Sequence, residues 1–352
     1  FGLGGACLAS AGGRLVADYR GLAVTGLTEV LPALPRLWTT YRRLVRIAGE
    51  ERPDVLVAID YSGFNFRLCR AVAALGIPVV YYVSPQVWAW RRGRLRAMQR
   101  FVTRALVIFP FEERLYRDHA IPVTFVGHPL FDLSAPTVLR GPFRQEHGLD
   151  PQAPTVAVLP GSRSNDVRLI LPDLVCAAER IAHAVPTVQF VVARAPHVTD
   201  ALLEPLRALA AVTSRPACVV EGRTDDVLAA ADVVLTASGT ATVQTAIHGR
   251  PMVVVYRLSP LTYLLGRRFV RVDAFGMVNL VAERKIVPEF LQEDFTPEVV
   301  AAEAVRFLTD EAHAARTRAD LREVREKLGG PGASRRAAEQ VLAVAAEGRG
   351  CG

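Results

Sequence analysis

The sequence predicts an α/β protein made of two doubly wound domains that face each other across a cleft. Three observations predict this fold class. Apolar strand-like runs alternate with helical stretches over residues 1–132, a segment rich in proline, glycine and charge follows at 133–154, and the alternation restarts at Thr155. The 352 residues are enough for two domains of ordinary size. We therefore expect a first domain with its linker at 1–150 and a second domain at 151–352.

The candidate strands are short and continuously apolar, as in a parallel sheet that helices cover on both faces. In the first domain they lie at residues 55–59, 79–83, 106–108 and 125–127. In the second domain they lie at residues 156–159, 188–192, 218–220, 233–235 and 252–255, and residues 297–347 read as mostly helical. The stretch Phe1–Gly5 resembles the end of a further strand and has no initial methionine, so we expect the start of the first domain to be missing.

Composition narrows the class of protein without choosing a ligand. Hydrophobic residues make up 51% of the chain and charged residues 22%, which is typical of a folded globular protein. The 42 Lys and Arg against 35 Asp and Glu leave a net charge of +7, which suits a nucleotide, another phosphorylated ligand, nucleic acid or an anionic membrane. The five scattered cysteines indicate reduced thiols in a cytosolic protein. No apolar run reaches bilayer-spanning length, and no signal peptide is evident.

Asp60 follows the apolar run 55–59 directly, at the end of a strand where ligands bind in open α/β sheets. A carboxylate at this position could act as a general base on a sugar hydroxyl. An acid that only caps the following turn is an equally ordinary interpretation, and the residues alone leave both open.

Two small-residue turns in the second domain are suited to a diphosphate. Gly161, Ser162 and Arg163 follow a strand and precede a helix, where backbone amides and an arginine can bind phosphate. Ser238, Gly239 and Thr240 occupy the same kind of position after the strand at 233–235. Each turn by itself is also compatible with a surface turn or with close helix–sheet packing.

Three further segments carry unusual residues, and each has two interpretations. Ser84 to Arg91 contains Trp88 and Trp90 beside several arginines, which favours either a ligand platform or plain aromatic packing beside a solvated basic helix. The helix at 35–48 is amphipathic and suits either a membrane interface or the core. Its shared apolar face includes Leu37, Trp38, Tyr41 and Leu44. A second apolar–basic patch lies at 263–271.

The remaining polar residues point away from metals and nucleic acid. The isolated histidines His128 and His248 have structural roles by default. No cluster of His, Cys, Asp and Glu has metal-ligand spacing, so we expect no metal and no other cofactor. The arginines near 91–104 form one short cluster without the signature of an RNA-binding module, so nucleic acid is not the expected partner.

Taken in order, these segments resemble the lipid-A-disaccharide synthase family, which are glycosyltransferases of GT-B architecture with two Rossmann-like domains. The most specific segment is 84–91, Ser-Pro-Gln-Val-Trp-Ala-Trp-Arg. The others that match are 22–26, 53–60, 109–112, 126–130, 159–163, 237–241, 251–257 and 279–292. The resemblance covers residues 22–292 with family-like spacing.

The resemblance implies an inverting hexosyltransferase that needs no metal. It would join UDP-2,3-diacylglucosamine to the 6-hydroxyl of 2,3-diacylglucosamine 1-phosphate (lipid X), giving the β-1,6 lipid A disaccharide phosphate and UDP. Asp60 matches the family's base. The implied donor contacts are Gly161, Ser162, Arg163, Ser238, Gly239, Thr240, Gln244 and Asn279, and the implied acceptor or cleft contacts are Ser84, Trp88, Trp90, Arg91 and His128. Since both substrates are acylated, the face with Leu37, Trp38, Tyr41 and Leu44 is expected on the cytoplasmic surface of the inner membrane.

The chain departs from the family's pattern at several points. The strand and Gly/Ser-rich turn with which the family begins are absent, and Asp166 and Gln244 stand where glutamates are usual. Other UDP-sugar enzymes therefore stay open as alternatives, either a peptidoglycan N-acetylglucosaminyltransferase or a UDP-sugar 2-epimerase. So does an inactive truncated protein that still binds UDP or membrane. Whether the chain forms a homodimer is also open.

Overall fold

The structure is a computed structural model, and it describes residues 1–19, 27–85, 87, 93–211, 213, 217–258 and 276–349. Within these residues the strands are β1 (Gly2–Gly4), β2 (Leu15–Asp18), β3 (Leu56–Ile59), β4 (Val79–Tyr82), β5 (Arg104–Val107), β6 (Val123–Phe125), β7 (Thr155–Leu159), β8 (Gln189–Arg194), β9 (Cys218–Glu221), β10 (Val233–Ala237), β11 (Met252–Tyr256) and β12 (Glu289–Leu291).

The described helices are α1 (Ala6–Ser10), α2 (Leu27–Glu51), α3 (Ser62–Ala73), α4 (Gly93–Met98), α5 (Pro110–Arg117), α6 (Leu130–Leu133), α7 (Arg140–Glu146), α8 (Ser164–Ala184), α9 (Asp200–Leu203), α10 (Thr224–Ala230), α11 (Thr240–Ile247), α12 (Met277–Ala282), α13 (Pro297–Thr309), α14 (Glu311–Lys327) and α15 (Ala333–Arg349). A 3-10 helix spans Glu204–Ala211.

The chain divides into two compact units whose boundaries differ from the predicted ones. The first unit is Phe1–Val126 with Ser334–Gly352, and the second is Gly127–Ala333. The predicted linker joins the second unit because buried Asp226 accepts a hydrogen bond from the Thr137 backbone amide at 2.6 Å. The last helix, α15, returns to the first unit, where its buried apolar residues pack beside the four-stranded sheet. A domain prediction that divides the sequence at a single point does not detect that the last helix belongs to the first unit.

The first unit contains a four-stranded parallel sheet in the order β3-β4-β5-β6 and a parallel pair, β1-β2. Apolar residues of α2 and α3 form one buried cluster, which includes Leu44, Ile47, Phe64 and Leu68. Apolar residues of α15 form another with Val80 and Leu106 of the sheet, so helices supply the apolar cover that its strands require.

The second unit contains a six-stranded parallel sheet in the order β12-β11-β10-β7-β8-β9. From β7 the chain proceeds outward through β8 to β9, and it then returns to the other side of β7 as β10. The strand order therefore reverses between β7 and β10. In open α/β sheets, ligands bind in the crevice at the carboxyl ends of the strands beside such a reversal.

Candidate functional site

The two predicted diphosphate turns lie side by side at the reversal point. Leu159, which precedes the first turn, is paired with Thr236, which precedes the second. A Cβ placed on Gly161 would lie 3.7 Å from the Cβ of Ala237. The structure thus brings Gly161, Ser162 and Arg163 to the same end of the sheet as Ser238, Gly239 and Thr240.

Backbone geometry explains why glycine occupies both turns. Gly161 has a φ of +115° and Gly239 a φ of +144°, a region that residues with a Cβ rarely adopt. Each turn leads into a helix, α8 and α11, and in the described structure no side chain caps either helix start by a hydrogen bond. Ser162 and Arg163 are exposed beside them. Helix amino-terminal amides with an adjacent arginine form a suitable site for a diphosphate.

Three side chains that the sequence reading did not assign to the site lie around the first turn. His197, after β8, contacts the carbonyl oxygen of Ser162 through Nε2. Burial raises the pKa of the Asp166 carboxyl in the first turn of α8, and the positive charge of Arg163 opposes this shift. Burial and the nearby Asp166 raise the pKa of Tyr256 at the end of β11. His197 follows β8, Asp166 begins the helix after β7, and Tyr256 ends β11. This position at or just beyond the carboxyl end of a strand is the sequence signal that could have identified them.

Gln244 lies on α11 beyond the second turn and is half-buried. Its Nε2 donates to Oδ1 of Asp225 at 2.8 Å, and Nε2 of His248 lies 2.8 Å from the same oxygen. The amide nitrogen of Gln244 thus ties α11 to α10. A contact of Gln244 with a ribose stays a prediction.

Asn279 is held by hydrogen bonds within the second unit, and its contact with the donor stays a prediction. Its side chain is only 2% exposed. Its Nδ2 donates to the Val287 carbonyl at 2.9 Å and to Glu289 at 2.5 Å, while its Oδ1 accepts from the amides of Ile286 and Val287. These bonds use the full hydrogen-bonding capacity of an amide side chain. Asn279 therefore anchors α12 to the segment that leads into β12.

In the first unit, Asp60 lies at the carboxyl end of β3 with an exposed side chain. A cavity of about 640 Å³ opens beside it and is lined mostly by apolar residues of α2, α3, β1 and β3. Within the described chain, β1 pairs with β2 alone and β3 with β4 alone. The cavity includes a gap between strand edges, so it is not by itself evidence for a ligand.

Two predicted acceptor contacts are buried in the structure. Ser84 and His128 are each 5% exposed. Nδ1 of His128 accepts from the Leu130 amide at 3.2 Å, and burial lowers the pKa of His128 to about 4. His128 also belongs to the second unit and not to the first. Direct contact of Ser84 and His128 with the acceptor stays a prediction. The other predicted acceptor contacts, Trp88, Trp90 and Arg91, lie outside the described residues.

The predicted membrane face of α2 divides between core and surface. Leu44 is 6% exposed and belongs to the apolar cluster of α2 and α3, so its side chain packs in the core. Leu37 and Tyr41 are half-buried against that cluster. Trp38 is 56% exposed and Leu34 is 45% exposed, so these two present apolar surface to solvent. The patch at 263–271 lies outside the described residues.

The described residues contain no group of three or more His, Cys, Asp or Glu residues that could hold a metal ion. None of their helices combines the length and the hydropathy that a bilayer-spanning segment requires.

Comparison with known sequences shows the family. The profile of the family described as "Lipid-A-disaccharide synthetase" matches residues 1–344. The lipid-A-disaccharide synthase of Koribacter versatilis is 42% identical over 349 residues, which cover 98% of this chain and 90% of that protein. The enzyme of the same name from Anaeromyxobacter dehalogenans is 45% identical over 344 residues, which cover 98% and 89%.

Comparison with solved structures shows the fold. UDP-GlcNAc 2-epimerase from Neisseria meningitidis, bound to UDP-GlcNAc, superposes with a TM-score of 0.62 at 12% identity and covers 97% of this chain and 90% of its own. Anabaena Alr3699/HepE, in complex with UDP and glucose, gives 0.56 at 14% identity and covers 96% and 88%. The predicted GT-B fold is confirmed.

Proposed function

The chain belongs to the lipid-A-disaccharide synthase family, and from this premise we propose that it is the hexosyltransferase of lipid A disaccharide formation. Its donor is UDP-2,3-diacylglucosamine and its acceptor is 2,3-diacylglucosamine 1-phosphate. The 6-hydroxyl oxygen of the acceptor forms a bond with C1 of the donor sugar as the bond from C1 to the diphosphate breaks. The configuration at C1 inverts, and UDP leaves with the bonding electrons.

The observation that carries this proposal is the pair of glycine turns at the reversal point of the second sheet. The turns at Gly161 and Gly239 supply helix amino-terminal amides, and Arg163 supplies an exposed positive charge. These groups suit the negative charge that develops on the departing diphosphate. This stabilisation comes from the chain itself, so we expect turnover without an added metal.

Asp60 supplies the second half of the chemistry. Its exposed carboxylate at the end of β3 accepts the proton of the 6-hydroxyl as that oxygen attacks C1. General-base catalysis of this kind typically contributes 10²–10⁴-fold to the rate. The division of roles is therefore a charged side chain for the acceptor and backbone amides with one arginine for the donor.

Product formation tests the proposal. The chain, as printed and extended by the amino-terminal strand that the resemblance implies, is incubated in detergent with both acylated substrates and EDTA, and the disaccharide is detected by mass spectrometry. We expect product from at least one form, and no product if donor and acceptor lack their acyl chains. Turnover that is indifferent to acylation, or epimerised UDP-sugar in place of disaccharide, would assign the chain to another UDP-sugar reaction.

The Asp60→Asn variant tests the base. We expect turnover to fall roughly 10²–10⁴-fold while UDP still binds. The matched control is Asp118→Asn, the same change at an exposed aspartate of the first unit that ends α5. Full turnover in Asp60→Asn would remove Asp60 as the base and leave the family assignment intact.

We further propose that the protein binds the cytoplasmic face of the inner membrane peripherally, because both substrates carry acyl chains. The exposed Trp38 and Leu34 of α2, with arginines nearby, suit an anionic lipid surface. We expect cosedimentation with vesicles that contain phosphatidylglycerol and a clear loss of it in Trp38→Glu. The control is Leu342→Glu, which changes an apolar residue on α15 that is more exposed than Trp38. Equal loss in both variants would show that Trp38 has no special role.

A further inference from the structure

The carboxyl end of β3 holds two neighbouring non-glycine residues in the left-handed backbone region. Asp60 has a φ of 44° and Tyr61 a φ of 39°. In this region the Cβ of an L-residue approaches the following carbonyl oxygen, so such residues persist only where the surrounding structure holds them. The proposed base is thus the first residue of a strained pair. The contacts that stabilise this pair decide where its carboxylate points.

Two buried side chains bind the backbone at this bend. Nδ2 of Asn65, on α3, donates to the carbonyl oxygen of Ile59 at 3.0 Å and to that of Asp60 at 2.9 Å. The hydroxyl of Tyr81, on β4, donates to the same Asp60 oxygen at 2.9 Å. Asn65 is 9% exposed and Tyr81 is fully buried, so water competes little for these bonds.

Backbone hydrogen bonds to β4 and from α3 also hold the bend at Asp60 and Tyr61. The Asp60 amide donates to the Tyr82 carbonyl of β4 at 3.1 Å, and the Asn65 amide donates to the Tyr61 carbonyl at 3.1 Å. Burial raises the pKa of Tyr81, and the charges of Cys69 and Asp60 add to this effect. The Tyr81 hydroxyl therefore keeps its proton and remains a donor at neutral pH.

We propose that Asn65 and Tyr81 are positioning residues for the general base: they hold the left-handed bend after β3 and so aim the Asp60 carboxylate at the acceptor hydroxyl. This inference rests on the proposed function of Asp60. Neither side chain touches a reacting atom, and both act through the Asp60 backbone. Their effect on catalysis therefore requires the Asp60 carboxylate to be present.

The first test is Tyr81→Phe, which removes one hydroxyl and keeps the buried ring. A misplacement of about 1 Å at a reacting group can cost on the order of 100-fold, so we expect kcat to fall roughly 10- to 100-fold. The KM for the UDP-sugar and the Kd for UDP should change by less than about twofold, since the donor turns lie in the other unit. The matched control is Tyr82→Phe, which keeps the backbone carbonyl that binds the Asp60 amide and removes only a hydroxyl from a ring in the apolar cluster with Val80, on the other face of the same sheet. We expect Tyr82→Phe to retain its kcat.

The second test is a double-mutant cycle, which separates positioning from general damage to the fold. In an Asp60→Asn background, Tyr81→Phe should lower the residual turnover by less than about twofold, because the group it positions is already gone. A purely structural role would lower turnover by the same factor in both backgrounds. Asn65→Asp provides an independent variant of nearly the same shape that lacks the amide donors, and thermal unfolding establishes that each protein is folded.

The possible results are distinct. Wild-type kcat in folded Tyr81→Phe and Asn65→Asp, or equal losses in both backgrounds, would overturn the positioning role while Asp60 remained the base. Full turnover in Asp60→Asn would overturn the base assignment and the positioning role together. A selective fall in kcat that disappears in the Asp60→Asn background would support both.

Discussion

Gly161 offers a sharp test of the donor turn, because a side chain fits its position poorly. Replacement by alanine would place a Cβ 2.9 Å from the Cβ of Asp166, closer than such atoms normally approach. It would also require a residue with a Cβ to adopt a φ of +115°. Holding a non-glycine residue in such a region costs about 1–3 kcal/mol.

This conformational cost in Gly161→Ala lowers the affinity for UDP. The turn of Gly161→Ala relaxes to another conformation in the free protein, and UDP must restore the original one to bind. With about 1.4 kcal/mol for each factor of ten, a cost of 1–3 kcal/mol raises the Kd for UDP roughly 5- to 150-fold. Isothermal titration calorimetry with UDP measures this change, and thermal unfolding shows that the variant is folded.

Two other glycines of the second unit provide graded controls. Gly239 has a φ of +144°, but no described atom lies within 4 Å of a Cβ placed there, so Gly239→Ala tests strain without overlap and should weaken UDP binding less than Gly161→Ala. Gly141 lies in α7 with open space around it, so Gly141→Ala should leave UDP binding unchanged and add up to about 1 kcal/mol of stability. A folded Gly161→Ala protein that binds UDP within about twofold of the parent would refute the placement of UDP at this turn.

Two further predictions concern stability in the second unit. The pKa of His128 is about 4 in the folded chain and near 6.5 when unfolded, so the unfolded state binds more protons between these values. The free energy of unfolding should therefore fall as the pH decreases from about 6.5 to about 4, by at most about 1.4 kcal/mol per pH unit. This dependence on pH should diminish in His128→Asn but not in His183→Gln, a control at an exposed histidine. Arg144 is 1% exposed and donates to several backbone carbonyls and to Asp232. In urea, the free energy of unfolding should decrease by about 3–5 kcal/mol in Arg144→Met and by under about 1 kcal/mol in the more exposed Arg140→Met. Equal decreases in the two variants would contradict a stabilising role of the buried Arg144 hydrogen bonds.

The sequence predicted strands better than it predicted where they end. The run at 156–159 lies within β7 and the run at 233–235 within β10, because strands buried on both faces are continuously apolar. The run expected at 125–127 corresponds to β6, which ends at Phe125. Apolar character continues past the last paired residue to Val126, and Gly127, which has a φ of +86°, follows it. Hydropathy reports burial and not pairing, so it does not mark this boundary.

The burial that the sequence did not predict for several site residues has one physical cause, which is contact between distant parts of the chain. His128 is held partly by the carbonyl of Leu328, and α15 returns to the first unit from the far end of the sequence. Leu44 is buried because α3 packs against α2. Periodicity and motifs describe what a segment can bury, but not which other segment covers it.

The proposed base in the first unit and the proposed donor turns in the second unit meet one structural requirement in different ways. Both need an unusual backbone conformation at the end of a strand, and the donor turns use glycine at the bend itself because no side chain is required of that residue. The acceptor side needs a carboxylate, so glycine is excluded at Asp60, and buried hydrogen bonds from Asn65 and Tyr81 must offset the strain instead. A glycine between a strand and a helix is visible in a sequence. A strained aspartate held by a tyrosine of the next strand is visible only once the sheet has formed, which is why the donor turns could be predicted from residues alone and the support of the base could not.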